Sequence, residues 1–536
     1  MRSATGFLAL ALAGFSFGTS GTPERGTTQA QFDLVLSGGR VVDGTGAPAR
    51  VADVGIRDGV IAAVGDLSRT PASERVSVAG LVVAPGFIDV HTHADNVAEH
   101  PEAGNFVRMG VTTIVAGNCG SSAVDVGEAF AAIRHRRIAV NYATLIGHNS
   151  VRAAVMGSER RAPTLPELDR MKALVFRAMV DGAVGFSTGL QYVPGTYAET
   201  SEIVELARVA ANEGGLYASH MRNEGTALED AIRETLLVGR ASGARVQVSH
   251  LKIDAKSRWG ASEIALRMID EARAQGLDVL ADQYAYTAAS SGLSIRFPSW
   301  ALEGGREKIS ERLTDPATWS RIKEEMLGLV RDRGFEDLSW AVVASYPADP
   351  SLNGLSMADV AERLHGSRAA DAQFEAARTL MLGGPPSMVY HFMDDRDVDR
   401  IMRHPSVSVA ADSGVLDPAS AGRPHPRGYG NNARVLGRYV RERKVIPLEE
   451  AVRKMTSLPA DHFRLAGRGR IAAGAAADLV VFDPASVRDA ATFDAPHAYA
   501  EGIPHVLVNG RFVVRDGAQT GEKPGAVLAR SLLSAK

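Results

Sequence analysis

Two histidines separated by one residue end an apolar run in the segment FIDVHTHAD. If the run forms a strand, His91 and His93 point to the same side of it, because side chains alternate along a strand. Two imidazoles on one side can bind one metal ion. The alternative is two structural histidines whose hydrogen bonds are satisfied within the protein. The rest of the run is apolar, so a structural role does not readily explain two histidines there. The spacing therefore predicts a metal site at the end of this strand.

Two more histidines occupy the same kind of position. His220 is the last residue of GGLYASH, and His250 is the last residue of RVQVSH. In a parallel barrel, the carboxyl ends of all strands surround one mouth. Either residue alone would more commonly be an ordinary histidine. Together with the pair at positions 91 and 93, they predict four imidazoles around one centre.

A thiol and a carboxylate complete this set of strand-end residues. Cys119 ends VTTIVAGNCG and Asp412 ends SVSVAADSG. A thiolate is a strong zinc ligand that can bridge two ions, and a carboxylate near a hydrolytic metal can take the proton of water and return it to the leaving group. A buried apolar thiol and a turn aspartate are the alternatives. The shared position favours a metal ligand at Cys119 and a catalytic base, also in contact with metal, at Asp412.

The pattern in the middle of the chain predicts the fold that brings these residues together. Residues 86–467 alternate apolar β-like runs with helical segments such as SEIVELARVAANEG, which predicts an α/β fold with a (β/α)8 barrel. Nine candidate strands are visible where eight are needed, and one of them is MVYHFMDD. Residues 288–385 form a long insertion after DVLADQYAYT. Long loops at the carboxyl ends of barrel strands commonly cover the active site, so we favour a lid over a surface addition.

Both ends of the chain have a different character. Residues 31–85 and 468–536 contain short Val, Ile and Leu runs broken by Gly, Asp and Pro, for example FDLVLSGGRVVDGTG and ADLVVFDP. Two β-rich ends around a different middle predict one small β-sandwich domain built from both termini.

The first thirty residues have the layout of a cleavable secretory signal. Arg2 supplies positive charge, and the apolar run Gly6 to Gly18 is too short to span a bilayer. A small, polar stretch then leads to Ala30. A tail with a chance apolar patch is the alternative. We expect an exported protein, periplasmic or secreted, with no membrane attachment after the signal is removed.

Composition restricts the partners. The chain has 59 basic and 62 acidic residues and a net charge of -3, which argues against nucleic acid or an anionic membrane as the main partner. The single cysteine excludes an intramolecular disulfide. The expected partner is a small molecule, and the sequence does not give the oligomeric state.

At this point the chain resembles a known family. The motifs APGFIDVHTHAD, GNCG, GFSTGL, SHMRNEG and SHLK are similar to those of the amidohydrolase superfamily and, within it, of the D-aminoacylases. The resemblance covers the chain from about Phe32 to the C-terminus. It implies a (β/α)8 barrel with a small β-sandwich and one or two Zn²⁺ ions.

The resemblance also implies roles for the candidate ligands. Cys119 takes the place of a carboxylated lysine found in many relatives, and forms a tight zinc site with His220. The other three histidines, His91, His93 and His250, surround a second position that is often weaker. Asp412 matches the family's catalytic aspartate.

Four further residues are expected to contact the substrate. The resemblance implies that Lys252 and Tyr284 belong to the substrate pocket, with Tyr192 as a neighbour. A substrate carboxylate needs a cation, and a guanidinium suits it by forked hydrogen bonding. We favour Arg296, in the insertion, over Lys252 and over two other arginines, Arg423 and Arg427; a surface arginine is the alternative for each arginine.

The predicted reaction is zinc-dependent hydrolysis of the linear amide of an N-acyl-D-amino acid, giving a carboxylate and a free D-amino acid. The preference for the D form comes only from the resemblance. A metal-dependent dipeptidase acting on dipeptides with a D residue is the second hypothesis, because the segments AADSG, DQYAYT and RGYGNNAR depart from the family pattern. Cyclic-amide hydrolysis ranks lower because enzymes of that kind typically use a lysine bridge where this chain has Cys119. A non-catalytic amidohydrolase-like scaffold also ranks lower, since every expected ligand is present.

Overall fold

The structure is a computed structural model that describes residues 31–530. The segment interpreted as a secretory signal, residues 1–30, lies outside the described part. Within that part, no helix combines the length and the apolar character that crossing a membrane requires.

Twenty strands are found in the described residues. In chain order they are β1 (Phe32–Val41), β2 (Arg50–Arg57), β3 (Val60–Gly65), β4 (Ala72–Ser77), β5 (Val82–Pro85), β6 (Phe87–Asp89), β7 (Val111–Ala116), β8 (Asn141–Gly147), β9 (Gly185–Gly189), β10 (Leu216–His220), β11 (Arg245–Val248), β12 (Val279–Gln283), β13 (Ala289–Gly292), β14 (Ala341–Ser345), β15 (Ser387–Tyr390), β16 (Val407–Val409), β17 (Leu479–Phe482), β18 (His505–Val508), β19 (Arg511–Arg515) and β20 (Ala518–Gln519).

Fifteen α-helices are found in the same residues. They are α1 (Gly104–Val107), α2 (Val126–Arg136), α3 (His148–Met156), α4 (Leu165–Asp181), α5 (Thr200–Asn212), α6 (Leu228–Ser242), α7 (Ser262–Ala274), α8 (Gly305–Thr314), α9 (Pro316–Asp332), α10 (Met357–His365), α11 (Ala370–Gly383), α12 (Asp395–Arg403), α13 (Arg427–Arg434), α14 (Leu448–Met455) and α15 (Ser457–Phe463). A π-helix, Val435–Glu442, continues α13.

The barrel is one parallel sheet of eight strands in the order β6-β7-β8-β9-β10-β11-β12-β16. A parallel bridge between Thr92 and Ser413 joins its first and last strands. Strands β7 and β8 are buried along their whole length, as expected for a sheet covered by helices. Helix α6 shows how the sequence ends an outer helix, because Gly243 adopts the left-handed conformation that closes it. The predicted (β/α)8 fold is confirmed.

The ninth candidate strand does not belong to the barrel. MVYHFMDD supplies β15, which pairs antiparallel with β13 and β14 in a separate three-stranded sheet. This sheet lies within the insertion, so the inserted segment extends to the end of β15 and past the predicted limit at residue 385. An apolar run of this length fits a buried barrel strand and a small covering sheet equally well, and periodicity cannot separate them.

The two chain ends form one nine-stranded sheet. Its order is β20-β19-β18-β17-β5-β1-β2-β3, and β4 pairs with β1. The ends meet where β5 pairs antiparallel with β17, over Val82–Pro85 and Leu479–Phe482. Alternate side chains of this sheet form an apolar core, which includes Leu36, Val54 and Leu507.

A closed hydrogen-bond network joins this sheet to the amino ends of the barrel strands. Asp478 accepts hydrogen bonds from the Asn141 side chain at 3.0 Å and from the Asn509 backbone at 2.7 Å, and it pairs with the Arg468 guanidinium. Its backbone carbonyl accepts from the amide of Gly86, which precedes β6. The network therefore fixes the β domain against the barrel.

Candidate metal centre and active site

The carboxyl ends of the barrel strands bring the six predicted ligand-type residues together. His91 and His93 follow β6, Cys119 follows β7, and His220 ends β10. The other two, His250 and Asp412, follow β11 and β16. Neighbouring strands place these side chains around one mouth because every barrel strand points in the same direction.

The ligand atoms are separated by short distances. His91 Nε2 lies 3.2 Å from Cys119 Sγ, which lies 3.5 Å from His250 Nε2. Asp412 Oδ1 lies 3.1 Å from His93 Nε2 and 3.6 Å from His91 Nε2. A tetrahedral zinc ion holds its ligand atoms roughly 3.3–3.7 Å from one another. Two of the observed distances fall in this range, and the other two are only slightly shorter.

Three groups of ligand atoms each lie within a metal-sized space. They are His91, Cys119 and His250; His91, His93 and Asp412; and His220, Glu224 and His250. His220 is buried, and neither of its ring nitrogens has a hydrogen-bond partner within the described residues. Because an unpaired buried polar atom is costly, a cation bound to one of these nitrogens explains best why the imidazole lies here.

Two carboxylates that sequence reasoning missed lie beside the imidazoles. Glu224 Oε1 lies 3.0 Å from His250 Nδ1, and Asp282 Oδ1 lies 3.3 Å from His91 Nδ1. The Lys252 ammonium lies 2.8 Å from the same His250 nitrogen, so that nitrogen contacts both a cation and a carboxylate. Acidic groups beside metal-binding imidazoles commonly fix the orientation of the rings. Glu224 lies in the motif SHMRNEG and Asp282 lies in DQYAYT. Both segments bear on the family resemblance, but neither indicates that its carboxylate contacts an imidazole.

The site electrostatics favour anionic ligands. Burial opposes ionisation of the Cys119 thiol, but His91 and His250 outweigh it and hold the pKa of Cys119 well below its usual range. Burial likewise opposes ionisation of Asp412, and Arg427 at 2.9 Å outweighs it, so the pKa of Asp412 also lies well below its usual range. Both shifts favour the anionic form of the group, which is the form that binds a metal ion.

Three of these residues have an unusual backbone. Cys119, His250 and Asp412 adopt left-handed conformations, with φ of 52°, 34° and 51°. Non-glycine residues adopt this conformation at a cost of about 1 kcal/mol or more, and functional sites concentrate such strain. Close packing adds to it, since a Cβ at Gly189 would lie 2.1 Å from the Cys119 carbonyl oxygen. The chain turns sharply here to aim each ligand inward.

A cavity of about 410 Å³ opens over the ligands, and the insertion covers it. Ser291, Ile295 and Arg296 of the insertion line it together with Tyr390 and Phe392. Residues of the insertion and metal ligands therefore line the same cavity. The lid remains a prediction.

Arg296 is the cation in this cavity that has no acidic partner. It is 7% exposed, and its guanidinium lies 4.6, 5.3 and 5.5 Å from the ring centres of Tyr390, Trp340 and Phe392. No ion pair is found for it among the described residues, and its Nε has no hydrogen-bond partner there. Aromatic faces stabilise the charge without neutralising it, so an anion can still bind.

The other predicted substrate-contact residues differ in whether their side chains are free to contact a substrate. Lys252 faces the cavity, but its ammonium contacts Glu224 at 2.6 Å and the His250 carbonyl at 2.9 Å, which leaves it a positioning role. Tyr192 lines the cavity, and its ring lies 4.6 Å from that of His220.

Tyr284 and the two remaining arginines lie outside that cavity lining. The Tyr284 ring lies 4.4 Å from the Arg427 guanidinium, and Arg427 pairs with Asp412. Arg423 is exposed, which agrees with the alternative that it is a surface arginine. The pairing of Arg427 depends on the register of distant segments, and no local pattern in the sequence indicates it.

The chain is similar to a described family over most of its length. The model of the amidohydrolase family matches residues 76–514. N-acyl-D-glutamate deacylase of Alcaligenes xylosoxydans xylosoxydans is 41% identical, over 94% of this chain and 97% of that protein. D-aminoacylase of the same organism is 39% identical, over 93% of this chain and 98% of that protein.

A solved structure has the same architecture. The crystal structure of N-acyl-D-glutamate deacylase from Bordetella bronchiseptica, complexed with zinc and a phosphonate inhibitor that mimics the tetrahedral intermediate, superposes with a TM-score of 0.80. It is 39% identical, and the match covers 93% of this chain and 99% of that one.

Proposed function

The chain belongs to the amidohydrolase family, in the branch that contains the D-aminoacylases, and on that premise we propose that it hydrolyses the amide bond of N-acyl-D-amino acids. One observation carries the proposal: six ligand-type side chains and an unpaired buried cation, Arg296, lie around or directly beside one cavity. The preference for the D form rests on the relatives, which are named for it.

Zinc is the expected metal. A related structure contains it, and thiolate with imidazole is a ligand set that zinc prefers. Following the family pattern, we assign Cys119 and His220 to one position, and His91, His93 and His250 to the surroundings of a second. The ligand groups of this structure differ in joining Cys119 with His91 and His250. When bound, zinc supplies Lewis acidity toward the amide carbonyl and acidity to water.

Asp412 is assigned the proton transfers. Its carboxylate accepts a proton from the attacking water as the new carbon–oxygen bond forms, and delivers it to the amide nitrogen as the carbon–nitrogen bond breaks. Arg427 keeps Asp412 in its ionised form before the first of these steps and after the second. The products are a carboxylate and a free amino acid.

Arg296 is assigned to a carboxylate of the substrate. It lines the same cavity as the metal ligands, it is buried, and its Nε has no hydrogen-bond partner among the described residues. An anion bound there would direct the acylated nitrogen toward the ligand cluster, which is the orientation that amide cleavage requires.

The deciding experiment is amine release from a matched panel of N-acetyl-D-amino acids, their L enantiomers, and dipeptides with a D residue, each with and without chelator. We expect chelator-sensitive release from the N-acetyl-D compounds. Release from the dipeptides alone would make the protein a peptidase with the same metal site. Release from none, by a zinc-loaded protein, would favour a non-catalytic scaffold.

Export is a separate part of the proposal. It is supported by Arg2, by the short apolar run Gly6 to Gly18, and by the small residues that lead to Ala30. N-terminal sequencing of the protein recovered outside the cytoplasm tests it: a mature terminus near residue 31 is expected, and an intact Met1 would contradict it.

A further inference from the structure

A second cavity, of about 400 Å³, lies beside the cavity over the metal ligands. The insertion supplies most of its lining, and eight of the lining side chains are apolar: Val193, Ile295, Leu302, Ile309, Leu313, Met381, Leu382 and Pro385. On α8, Arg306, Ile309 and Leu313 follow each other at helical spacing and face the same cavity. Its size falls within the usual range for ligand pockets.

The two cavities share a wall. Gln191, Tyr192, Val193 and Ile295 line both of them. Tyr192 stands closest to the chemistry, with its ring 4.6 Å from that of His220. A ligand that occupied both cavities would have one end beside the metal ligands and the other among apolar side chains.

The charges of the two cavities differ. The cavity over the metal ligands contains Glu224, Lys252, Asp254, Arg296 and Asp412. Of the described residues that line the second cavity, Arg306 alone is charged, and it is exposed. Apolar cavities do not hold water well and accept apolar ligands. The second cavity is thus unsuited to the charged end of an amino acid.

The geometry points to the aliphatic chain of the N-acyl group as the occupant, and this inference rests on the proposed function. Arg296, which we assign to the anion of the amino acid, lines only the first cavity. The acyl group is on the other side of the scissile amide from that anion. We therefore propose that the substrates are N-acyl-D-amino acids with medium-length acyl chains, such as hexanoyl and octanoyl.

The first experiment is a chain-length series. The wild-type chain, loaded with zinc, is given N-acetyl, N-butanoyl, N-hexanoyl and N-octanoyl derivatives of one D-amino acid. Burial of each added methylene increases kcat/KM by up to about fourfold. A kcat/KM that is flat or falls from acetyl to octanoyl overturns the inference and leaves the proposed function intact. No hydrolysis of any member overturns both.

The second experiment fills the cavity. Ile309→Trp places an indole in it and is expected to reduce the octanoyl-to-acetyl ratio of kcat/KM at least tenfold. The matched control is Leu329→Trp, which adds the same indole at an exposed position of α9 in the same insertion. It is expected to keep the wild-type ratio. Equal ratios in the two variants overturn the inference. If Ile309→Trp does not fold, the chain-length series alone decides.

A third experiment distinguishes the acyl chain from an apolar amino-acid side chain as the occupant of the second cavity. N-acetyl-D-leucine and N-acetyl-D-glutamate are compared in wild type and in Ile309→Trp. A selective loss of leucine hydrolysis, with no change in the acyl-chain ratio, assigns the cavity to the side chain and overturns the inference.

Discussion

The barrel strands carry buried polar groups at both of their ends, and the two groups differ in what they leave unpaired. At the amino ends, Asp478 is paired with Asn141, Arg468 and Asn509. At the carboxyl ends, His220 has no hydrogen-bond partner among the described residues for either ring nitrogen. Burial and polarity are similar, but only the second group has lone pairs available for a ligand.

The difference separates stability from chemistry. A closed network gains from every contact and contributes to folding, whereas unpaired donors and acceptors cost free energy until something binds. In barrels of this kind the carboxyl ends carry catalysis and the amino ends carry stability. Substitutions at the two ends should therefore affect different measurements.

The largest effect is expected from Asp412→Asn. An amide cannot accept the proton of water, so kcat should fall by about 10²–10⁴-fold. Measured with N-acetyl-D-amino acids, the loss should occur in a protein whose circular dichroism is that of wild type. A folded variant that retains full activity would remove Asp412 from the mechanism.

Asp478→Ala tests the opposite end. It leaves the Arg468 guanidinium without its buried partner, which should reduce the free energy of unfolding by about 3–5 kcal/mol. Denaturant titration measures the loss, and kcat of the folded fraction should not change.

The control for this variant is Asp461→Ala, which removes the partner of Arg470 where both side chains are partly exposed. A loss of at most about 1 kcal/mol is expected there. Equal losses in the two variants would show that the network has no special role.

Arg296→Met removes the unpaired cation of the cavity. A hydrogen bond to a charged group contributes about 1.5–3 kcal/mol, so KM should rise about 10- to 100-fold with a smaller change in kcat. The control is Arg423→Met, an exposed arginine, which should keep the wild-type KM. An unchanged KM in Arg296→Met would show that another residue binds the anion of the substrate.

Glu224→Gln gives the smallest expected change at the metal end. It removes the carboxylate beside His250 Nδ1, and loss of such a partner commonly weakens metal affinity by about 10–100-fold. Competition with a chromophoric chelator measures the affinity. The same affinity as wild type would mean that Glu224 does not orient the imidazole.

Much of the fold and the ligand set followed from local patterns. The spacing of His91 and His93, and the strand-end positions of Cys119 and Asp412, are properties of short segments. A parallel barrel then determines that such ends meet. The predicted fold class is confirmed, and the structure places the six residues together as expected.

The remaining features depend on contacts between distant segments. Asp282 contacts His91 across the barrel, and Arg427 reaches Asp412 from α13. An aspartate at position 282 and an arginine at position 427 do not stand out from the sequence around them. The strand β15 was misplaced for the same reason, since its partners β13 and β14 are separated from it by helices of the insertion.

The pairing of β5 with β17 has a consequence for biosynthesis. Almost the entire barrel is translated between these strands, which at usual elongation rates takes roughly 20–80 s. Throughout that time the edge of β5 has no partner, and unpaired strand edges recruit other chains. The nascent chain therefore has to be kept from aggregation until Leu479 emerges, and a copy truncated before that residue should accumulate as insoluble protein even with every metal ligand intact.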